Sequence, residues 1–428
     1  MKLVHWLKPG LHMKRWLLLG LSGIALISFS AGFFWRHWFD HLTVYLASIL
    51  LLAGIALLAV SLRQGTLSLM RNLEKTPRTN QLQTEGDRLA RMVFDRQVLS
   101  KGKRIVVIGG GTGLSVLLRG MKQVTNNISA VVTVADDGGG SGILREDLGM
   151  LPPGDIRSCL LALAEMEPTM EALLQYRFTE GALKGQSFGN LFVASMNGIS
   201  DTFEEAVKKM GEVLAVKGRV YPVTVENVTL YAQLKNGKVI KGESNIPSKA
   251  LEEKSPIDFV FLRPKNPTAL AEVLIAIEEA DAIVLGPGSL YTSIIPNLLV
   301  KEVADRINRS AAVKIYLANL MTQPGETDDY SLADHISGLF RNTGLKTLDC
   351  VLANSQSIPE DVEARYRSEG AELIHAGRED HVYLKSKGIH LVETSAVEIR
   401  SAYVRHDALK ISRMIHDQLI HEKHRLSV

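Results

Sequence analysis

The sequence predicts an α/β protein, in which a two-helix transmembrane hairpin precedes a doubly wound, mainly parallel sheet with a small inserted β-meander. Three observations support this fold class. Two long uncharged stretches lie within the first 63 residues. From residue 103 onward, short β-branched runs alternate with segments of helical spacing, and several of these runs end in glycine. Finally, Asn236-Gly237 separates two alternating runs, which is typical of a β-hairpin.

The N-terminal segment, residues 1–63, is predicted to cross a cell membrane twice, with spans of about 16–34 and 42–62. Each stretch approaches the roughly 20 residues that an α-helix needs to cross the hydrocarbon layer. Lys and Arg flank the pair on both sides, whereas the linker between the spans holds only Arg36. Both termini and the main domain are therefore expected in the cytoplasm. A cleaved signal peptide is the alternative for the first stretch, but its apolar run is long and no Ala-x-Ala site precedes the second.

The polar residues 64–100 are predicted to form a juxtamembrane linker with one short helix over Asp87–Leu99, and residues 101–428 form the main domain. The first 99 residues contain 12 Lys and Arg against five Asp and Glu, whereas the rest of the chain contains 37 against 41. A slightly acidic domain lacks the basic surface of a nucleic-acid-binding protein, so no nucleic acid is expected as a partner. Cys159 and Cys350 are interpreted as buried, reduced thiols.

Within the main domain, the hydrophobic pattern predicts the order of strands and helices. The predicted strands are 104–108, 128–134, 220–225, 228–234, 238–242, 282–285, 313–317 and 347–353. The predicted helices are 114–122, 156–166, 170–178, 191–196, 202–214 and 407–421. The β-meander is expected as an insert at about 218–262.

A glycine-rich turn after the first strand carries the first functional signal. Gly109–Gly113 lie between a buried strand and a helix, where backbone N–H groups and the helix N-terminus can bind phosphate. The turn is not a strict G-x-G-x-x-G motif because Leu114 holds the third glycine position, and it lacks the lysine of a Walker motif. A tight βα turn without a ligand is the alternative interpretation.

Two aspartates at the end of the second strand carry the next signal. Asp136 and Asp137 are followed by a glycine-rich loop and then by Arg145, which is a candidate for phosphate binding. An acidic residue at this point contacts a ribose hydroxyl in doubly wound nucleotide sites. Adjacent carboxylates before a mobile loop also suit a metal or a sugar, and a solvated turn remains the plain alternative.

Four further loops place small or hydrogen-bonding residues at strand ends or before helices. In the first, Asp155 is expected either to cap the helix that starts near residue 156 or to face a ligand. Arg157 opposes the helix dipole and is interpreted as a clamp for a ligand or a carboxylate. The other three loops span 186–191, 286–293 and 319–327. Because the carboxyl ends of parallel strands meet at one edge of a sheet, these loops are expected to converge on one crevice.

Other chemistries find little support in the sequence. It contains no G-x-S-x-G, C-x-x-C or H-E-x-x-H motif. The C-terminal histidines are interpreted as part of a solvated helix end. They are His406, His416, His421 and His424.

Taken together, the loops resemble the YvcK/CofD-like family, whose members are called gluconeogenesis factors. The matching runs are IGGGTGLSVLL, TVADDGG, LPPGDIR, GPGSLYTSIIPNL and NLMTQPGET, so the resemblance covers roughly residues 103–419. The second loop of the family usually has two serines and then an arginine, where this chain has Gly140, Ser141 and Ile143. The membrane hairpin is extra to the commoner soluble members.

The resemblance implies a Rossmann-like fold that binds a UDP-sugar such as UDP-N-acetylglucosamine. It also implies a regulatory, non-catalytic role in cell-wall synthesis and cell shape during gluconeogenic growth. The enzymatic alternative is the other branch of the superfamily, the 2-phospho-L-lactate transferase of coenzyme F420 biosynthesis, in which the paired aspartates would hold Mg²⁺. A generic NAD-binding oxidoreductase is a third reading. Outside the transferase alternative, no metal or cofactor is expected. Cell-wall synthesis proteins and a second copy of the chain remain open as partners.

The residues expected to bind the ligand come from all of these loops, and Tyr291 is the expected contact to the nucleotide. The full set is Gly109, Gly110, Gly111, Thr112, Gly113, Asp136, Asp137, Ser141, Arg145, Gly154, Asp155, Arg157, Ser187, Asn190, Gly288, Ser289, Tyr291, Thr292, Asn319 and Thr322.

Overall fold

The chain forms two compact units, Met1–Arg88 and Leu89–Val428. The structure is a computed structural model, and it describes residues 13–36, 41–74, 99–400 and 403–420. Most of the predicted linker, and the predicted helix over Asp87–Leu99 apart from its last residue, lie outside these described residues.

The first unit is a pair of long helices, α1 (Met13–Arg36) and α2 (His41–Glu74). The helices approach closely at Gly23, where a Cβ would lie 2.9 Å from the Gly54 carbonyl oxygen. Small residues permit this approach between apolar helices. Within the described residues, one helical segment, Val44–Gln64, is long and apolar enough to cross a membrane. The first predicted span corresponds to the shorter apolar segment Leu18–Gly32, which does not reach that length.

The second unit alternates strands and helices, as the pattern from residue 103 predicted. Its strands are β1 (Ile105–Gly109), β2 (Ile128–Val132), β3 (Arg219–Pro222), β4 (Thr229–Leu234), β5 (Val239–Lys241), β6 (Ile257–Arg263), β7 (Ala282–Leu285), β8 (Val313–Leu317), β9 (Cys350–Asn354), β10 (His390–Thr394), β11 (Val397–Arg400) and β12 (Tyr403–His406).

The helices of this unit are numbered on from the hairpin. They are α3 (Gly111–Met121), α4 (Gly139–Leu148), α5 (Gly154–Leu163), α6 (Pro168–Gln175), α7 (Phe188–Gly198), α8 (Phe203–Val213), α9 (Ile246–Glu253), α10 (Ala271–Glu278), α11 (Ile295–Leu298), α12 (Lys301–Arg309), α13 (Leu332–Asn342), α14 (Glu360–Ser368), α15 (Arg378–Ser386) and α16 (Ala408–Arg413).

Seven strands form one fully parallel sheet in the order β3-β2-β1-β7-β8-β9-β10. Strand numbers increase from β1 to β3 on one side of the sheet and from β7 to β10 on the other. The topological switch point therefore lies between β1 and β7. Every residue of β1, β7 and β8 is buried, as expected for central strands of a parallel sheet with helices on both faces. The predicted doubly wound, Rossmann-like fold is therefore confirmed.

The antiparallel insert is smaller than the sequence predicted. Its three strands lie in the order β5-β4-β6, and Asn236-Gly237 forms the turn between β4 and β5 as predicted. The run at 220–225 is instead the edge of the main sheet, because Val220 of β3 pairs in parallel with Ala130 of β2. The insert therefore begins after Pro222 and extends to Arg263, with α9 between its last two strands.

Two segments near the site differ from the sequence prediction. The glycine-rich segment after Asp137 was predicted as a loop, but it forms the start of α4, which begins at Gly139 despite the low helix propensity of glycine. The predicted terminal helix starts at Ala408, and His406 belongs to the hairpin of β11 and β12. The two cysteines are buried and unpaired, as expected.

Candidate functional site

A crevice of about 710 Å³ lies at the carboxyl edge of the parallel sheet, where the strand order reverses. The turns that follow β1, β2, β7 and β8 line it, together with residues of α14 and β12. Of the loops that the sequence predicted to converge, all except the loop 186–191 contribute residues to this crevice. The position is the usual ligand site of open α/β sheets.

The turn after β1 leads directly into α3. Gly110 precedes the helix, and Gly111, Thr112 and Gly113 form its first turn, so their N–H groups have no acceptor four residues earlier in the helix. These groups point to the region where the helix dipole favours an anion. A Cβ on Gly113 would lie only 3.1 Å from the Pro287 carbonyl oxygen, so the turns after β1 and β7 touch at this point.

The turns after β7 and β8 are joined by side-chain amides. The Asn319 Nδ2–H donates to the Gly288 carbonyl at 2.8 Å, and the Gly288 N–H donates to Asn319 Oδ1 at 3.2 Å. The Gln323 amide also donates to the Ser289 hydroxyl at 2.8 Å. These three bonds join the two turns into one wall of the crevice.

A buried carboxylate lies beneath this wall. Glu326 is 5% exposed and accepts hydrogen bonds from the Thr292 hydroxyl at 3.1 Å and from the Tyr291 N–H at 3.3 Å. Burial raises the pKa of Glu326 to about 7, and these hydrogen bonds oppose the shift. Glu326 therefore joins the loop after β8 to Tyr291 and Thr292, which follow the turn after β7.

Asp136 and Asp155 line the crevice beside the first glycine turn. The structure does not support the capping interpretation of Asp155, because α5 already begins at Gly154 and has no side-chain cap. Burial, and then the charge of Asp136, raise the pKa of Asp155 to about 6, while the Gly111 N–H and the Arg157 guanidinium act in the opposite direction.

The two adjacent aspartates point to different places. Asp136 faces the crevice, whereas Asp137 Oδ1 accepts a hydrogen bond of 2.9 Å from the Ser244 N–H of the insert. Arg145 is 9% exposed and donates to the Asp136 carbonyl and to the Val228 carbonyl. Arg145 thus stabilises the loop and does not line the crevice, so it is not placed to bind a phosphate there.

A second set of predicted residues lies behind the crevice wall. Arg157 donates from Nη1 to the Ser187 hydroxyl, and Ser187 caps α7 by accepting from the Asn190 N–H at 3.2 Å. Ser187 and Asn190 are buried. Arg157 therefore binds Ser187, the residue that caps α7, in place of the ligand or carboxylate that the sequence predicted.

Tyr291 does not contact the crevice. Its side chain is fully buried, and its hydroxyl pairs with the Tyr330 hydroxyl at 2.8 Å, so the predicted nucleotide contact is replaced by a core contact. The predicted site residues that line the crevice are Gly110, Gly111, Thr112, Gly113, Asp136, Asp155, Gly288, Ser289, Thr292, Asn319 and Thr322. Those that do not are Gly109, Asp137, Ser141, Arg145, Gly154, Arg157, Ser187, Asn190 and Tyr291.

Sequence reasoning did not predict several lining residues, among them five that lie outside all of the predicted loops and carry polar or aromatic side chains. They are Glu243, Tyr366, Tyr403, Arg405 and His406. His406 was assigned to a solvated helix end, but its Nε2 lies 3.1 Å from the Ala318 carbonyl oxygen and burial lowers its pKa to about 4. The imidazole is therefore neutral at physiological pH. The alternating run Tyr403–His406 was the available signal for a strand here.

The crevice is acidic for a nucleotide site. Among the described residues that line it, Asp136, Asp155, Glu243 and Glu369 carry carboxyl groups, and Arg405 is the one permanent cation. An anion would thus depend on backbone N–H groups, the α3 N-terminus and Arg405. In the described part of the chain, no group of three or more His, Cys, Asp or Glu residues has the arrangement of a metal site.

Comparison with known proteins identifies the family. The family model described as 2-phospho-L-lactate transferase CofD matches residues 105–397. A protein of Clostridium acetobutylicum, named as a gluconeogenesis factor, is 46% identical over 99% of this chain and 93% of its own length. The chain belongs to the CofD/YvcK family. The gluconeogenesis factor of Bacillus subtilis is 44% identical over 74% of this chain and 98% of its own length.

A crystal structure of a protein described as a member of the UPF0052 family shows the same fold. A protein from Bacillus halodurans is 43% identical and superimposes with a TM-score of 0.70 over 73% of this chain and 99% of its own. This protein and the B. subtilis relative each match about three quarters of this chain and nearly all of their own length, and the family model begins at residue 105, within the second unit. We infer that residues 89–428 fold independently and can be studied as a fragment.

The buried Glu326 should make the stability of this fragment depend on pH. Its folded-state pKa of about 7 lies above its ordinary value of 4.5, so the folded protein retains this proton to a higher pH than the unfolded chain. Wild-type stability should therefore fall, relative to that of Glu326→Gln, as pH rises from 5 to 8, by up to about 3 kcal/mol. Urea unfolding at pH 5, 6.5 and 8 measures the difference. The exposed Glu212→Gln is the matched control, and a Glu326→Gln difference that stays constant with pH would contradict the assignment.

Proposed function

We propose that this chain is a membrane-anchored regulatory protein of the CofD/YvcK family that binds a nucleotide sugar, with UDP-N-acetylglucosamine as the ligand. Its role would be to support cell-wall synthesis and cell shape during gluconeogenic growth. The observation that carries the proposal is the crevice at the switch point, whose three regions match the three parts of such a ligand.

The middle of the crevice suits a diphosphate. Thr112 and Gly113 present backbone N–H groups at the N-terminus of α3, and residues of the Gly288 turn line the same crevice. Backbone donors at a helix N-terminus bind phosphate without a lysine side chain. No lysine lines the crevice among the described residues, which favours this mode over the lysine-dependent binding of ATP.

One end of the crevice is aromatic and suits the base. Tyr366 and Tyr403 line it, and Arg405 lies on the same strand as Tyr403. The Arg365 guanidinium lies 4.6 Å from the Tyr403 ring centre and 5.3 Å from that of Tyr366, which fixes both rings. Aromatic faces stack on nucleobases. The uracil ring is therefore proposed to occupy this end.

The other end carries carboxyl groups and suits the sugar. Asp136 follows β2, whereas His406, on the same strand as Tyr403, contacts the Ala318 carbonyl directly after β8, three strands away in the sheet. That separation is roughly 14 Å at the usual strand spacing, so it suits an extended ligand. Carboxylates accept hydrogen bonds from hydroxyl groups. We therefore propose that Asp136 binds the sugar, in place of the ribose contact expected from the sequence.

Transfer of a phospho-lactyl group remains the second candidate, because the matching family model carries the name of that enzyme. It would use Mg²⁺ held by carboxylates near the phosphates. The divergence of Asp136 and Asp137 does not favour it, since the second carboxylate is bonded to the insert. No cofactor is therefore included in the proposed function, and cell-wall synthesis proteins and a second copy of the chain are its candidate partners.

Membrane attachment is the remaining part of the proposal. We propose two spans, with both termini and the main domain in the cytoplasm. The apolar segments of α1 and α2 and the distribution of Lys and Arg support it.

The fragment 89–428 should bind UDP-N-acetylglucosamine at least roughly ten-fold more tightly than ATP, and EDTA should leave this affinity unchanged. Isothermal titration calorimetry measures both. Gly110→Ala should abolish binding, because the new Cβ would lie 2.6 Å from Asp155 Oδ2 and 2.9 Å from Thr133 Cγ2. Gly198→Ala is the control, since a Cβ there meets nothing within 4 Å. Tighter binding of ATP would count against the ligand, and binding that requires Mg²⁺ would favour the transferase.

The topology should be visible by cysteine labelling in intact cells. Trp38→Cys, between the proposed spans, should react with a membrane-impermeant maleimide added outside, whereas Ala90→Cys should react only after the cells are opened. The native Cys159 and Cys350 are buried and give the background. Labelling of position 90 and protection of position 38 would overturn the orientation.

A further inference from the structure

The antiparallel insert contributes one side chain to the crevice, that of Glu243. This residue begins a single turn of 3₁₀-helix, Glu243–Asn245, which connects β5 to α9. The three strands of the insert form a sheet of their own, and their buried side chains pack into the same hydrophobic core as the parallel sheet. The insert thus reaches the crevice through this one short turn.

One side of the turn is attached to the aspartate loop. The Ser244 N–H donates to Asp137 Oδ1 at 2.9 Å, and a Cβ on Gly138 would lie 3.4 Å from the Ser244 Cβ. The bond joins a main-chain donor of the insert to the residue next to Asp136. It therefore fixes the position of Glu243 relative to Asp136.

The other side of the turn is attached to the loop after β8. A Cβ on Gly325 would lie 2.2 Å from the Pro247 carbonyl oxygen, so the two backbones are in direct contact. Gly325 also has a φ of 81°, which favours glycine. The segment 242–247 therefore spans from the turn after β2 to the turn after β8, and Glu243 within it lines the crevice.

The Glu243 carboxyl is half-buried and makes no hydrogen bond in the described part of the chain. Burial, and then Asp136, raise its pKa to about 8, and the carboxyl groups of Glu326, Asp155 and Asp137 act in the same direction. A half-buried carboxyl group without a partner costs free energy unless a ligand or water supplies the bond. Hydroxyl groups of a ligand can do so.

We propose that Glu243 is a specificity-determining residue that hydrogen-bonds the sugar hydroxyls of the bound nucleotide sugar. The Asp137–Ser244 hydrogen bond and the Pro247–Gly325 contact position it. This inference rests on the proposed function and extends it by dividing the site. The parallel sheet binds the nucleotide, and the insert recognises the sugar.

The test compares two ligands, UDP-N-acetylglucosamine and UDP, by calorimetry on the fragment 89–428. Glu243→Ala should weaken binding of the nucleotide sugar roughly ten-fold and leave binding of UDP within about two-fold, because only the sugar contact is lost. Glu243→Gln, which can still donate and accept, should retain most of the affinity. Glu252→Ala, an exposed glutamate on α9 of the same insert, is the matched control for both ligands.

Asp137 tests the positioning contact. Asp137→Ala should lower affinity for the nucleotide sugar more than for UDP, since it removes the acceptor of the Ser244 N–H. Asp137→Asn keeps an Oδ1 acceptor and should restore the preference for the sugar. A merely structural role would lower the affinity for both ligands together.

The outcomes separate this inference from the proposed function. If the wild-type fragment binds neither ligand, the proposed function fails and the inference fails with it. If the wild type binds the nucleotide sugar but Glu243→Ala weakens both ligands equally, or neither, then only the role of Glu243 is overturned. Loss of sugar preference in Glu243→Ala, with recovery in Glu243→Gln, supports the assignment.

Discussion

The contact between two glycine turns at the carboxyl ends of β1 and β7 is the constraint on which the site depends. These strands are neighbours at the point where the sheet order reverses, so nothing in the sheet itself separates the turns. Gly113 lies against the Pro287 carbonyl, and the buried Asn297 amide donates to the Gly109 carbonyl at 3.1 Å. The backbone of β1 is thereby held so that the α3 N-terminus opens into the crevice.

The rest of the crevice is built outward from this contact by polar side chains that bond to backbone. The Asn319 amide donates to the Gly288 carbonyl, Glu326 accepts from the Tyr291 N–H, and Arg145 donates to the Asp136 carbonyl. Each bond satisfies a main-chain group that a loop would otherwise leave without a partner. Many polar residues of the sequence motifs therefore hold the loops in place, and only some of the motif residues are free to contact a ligand. Mutations at Arg145 and Glu326 should for this reason act first on loop geometry and stability.

Sequence reasoning predicted the elements that follow a local pattern. The strand runs ending in glycine, the hairpin at Asn236-Gly237 and the convergence of loops at one sheet edge all follow from periodicity and turn chemistry. It could not separate Asp136 from Asp137, because side-chain direction at a strand end depends on the insert that bonds to Asp137. Tyr291 was expected at the ligand from the family resemblance, whereas its side chain is buried in the core and its hydroxyl pairs with that of Tyr330.

The lining residues that sequence reasoning did not predict were missed for one shared reason. Glu243, Tyr366 and Arg405 reach the crevice from the insert, from α14 and from the terminal hairpin, and no local motif marks them.

The proposed function requires that one ligand spans these elements across the switch point. A crystal structure of the fragment 89–428 with UDP-N-acetylglucosamine tests it most directly. We expect the diphosphate at the N–H groups of Thr112 and Gly113, the uracil at Tyr366 and the sugar at Asp136. Ligand density outside this crevice, or in the reverse direction along it, would contradict the proposed mode of binding.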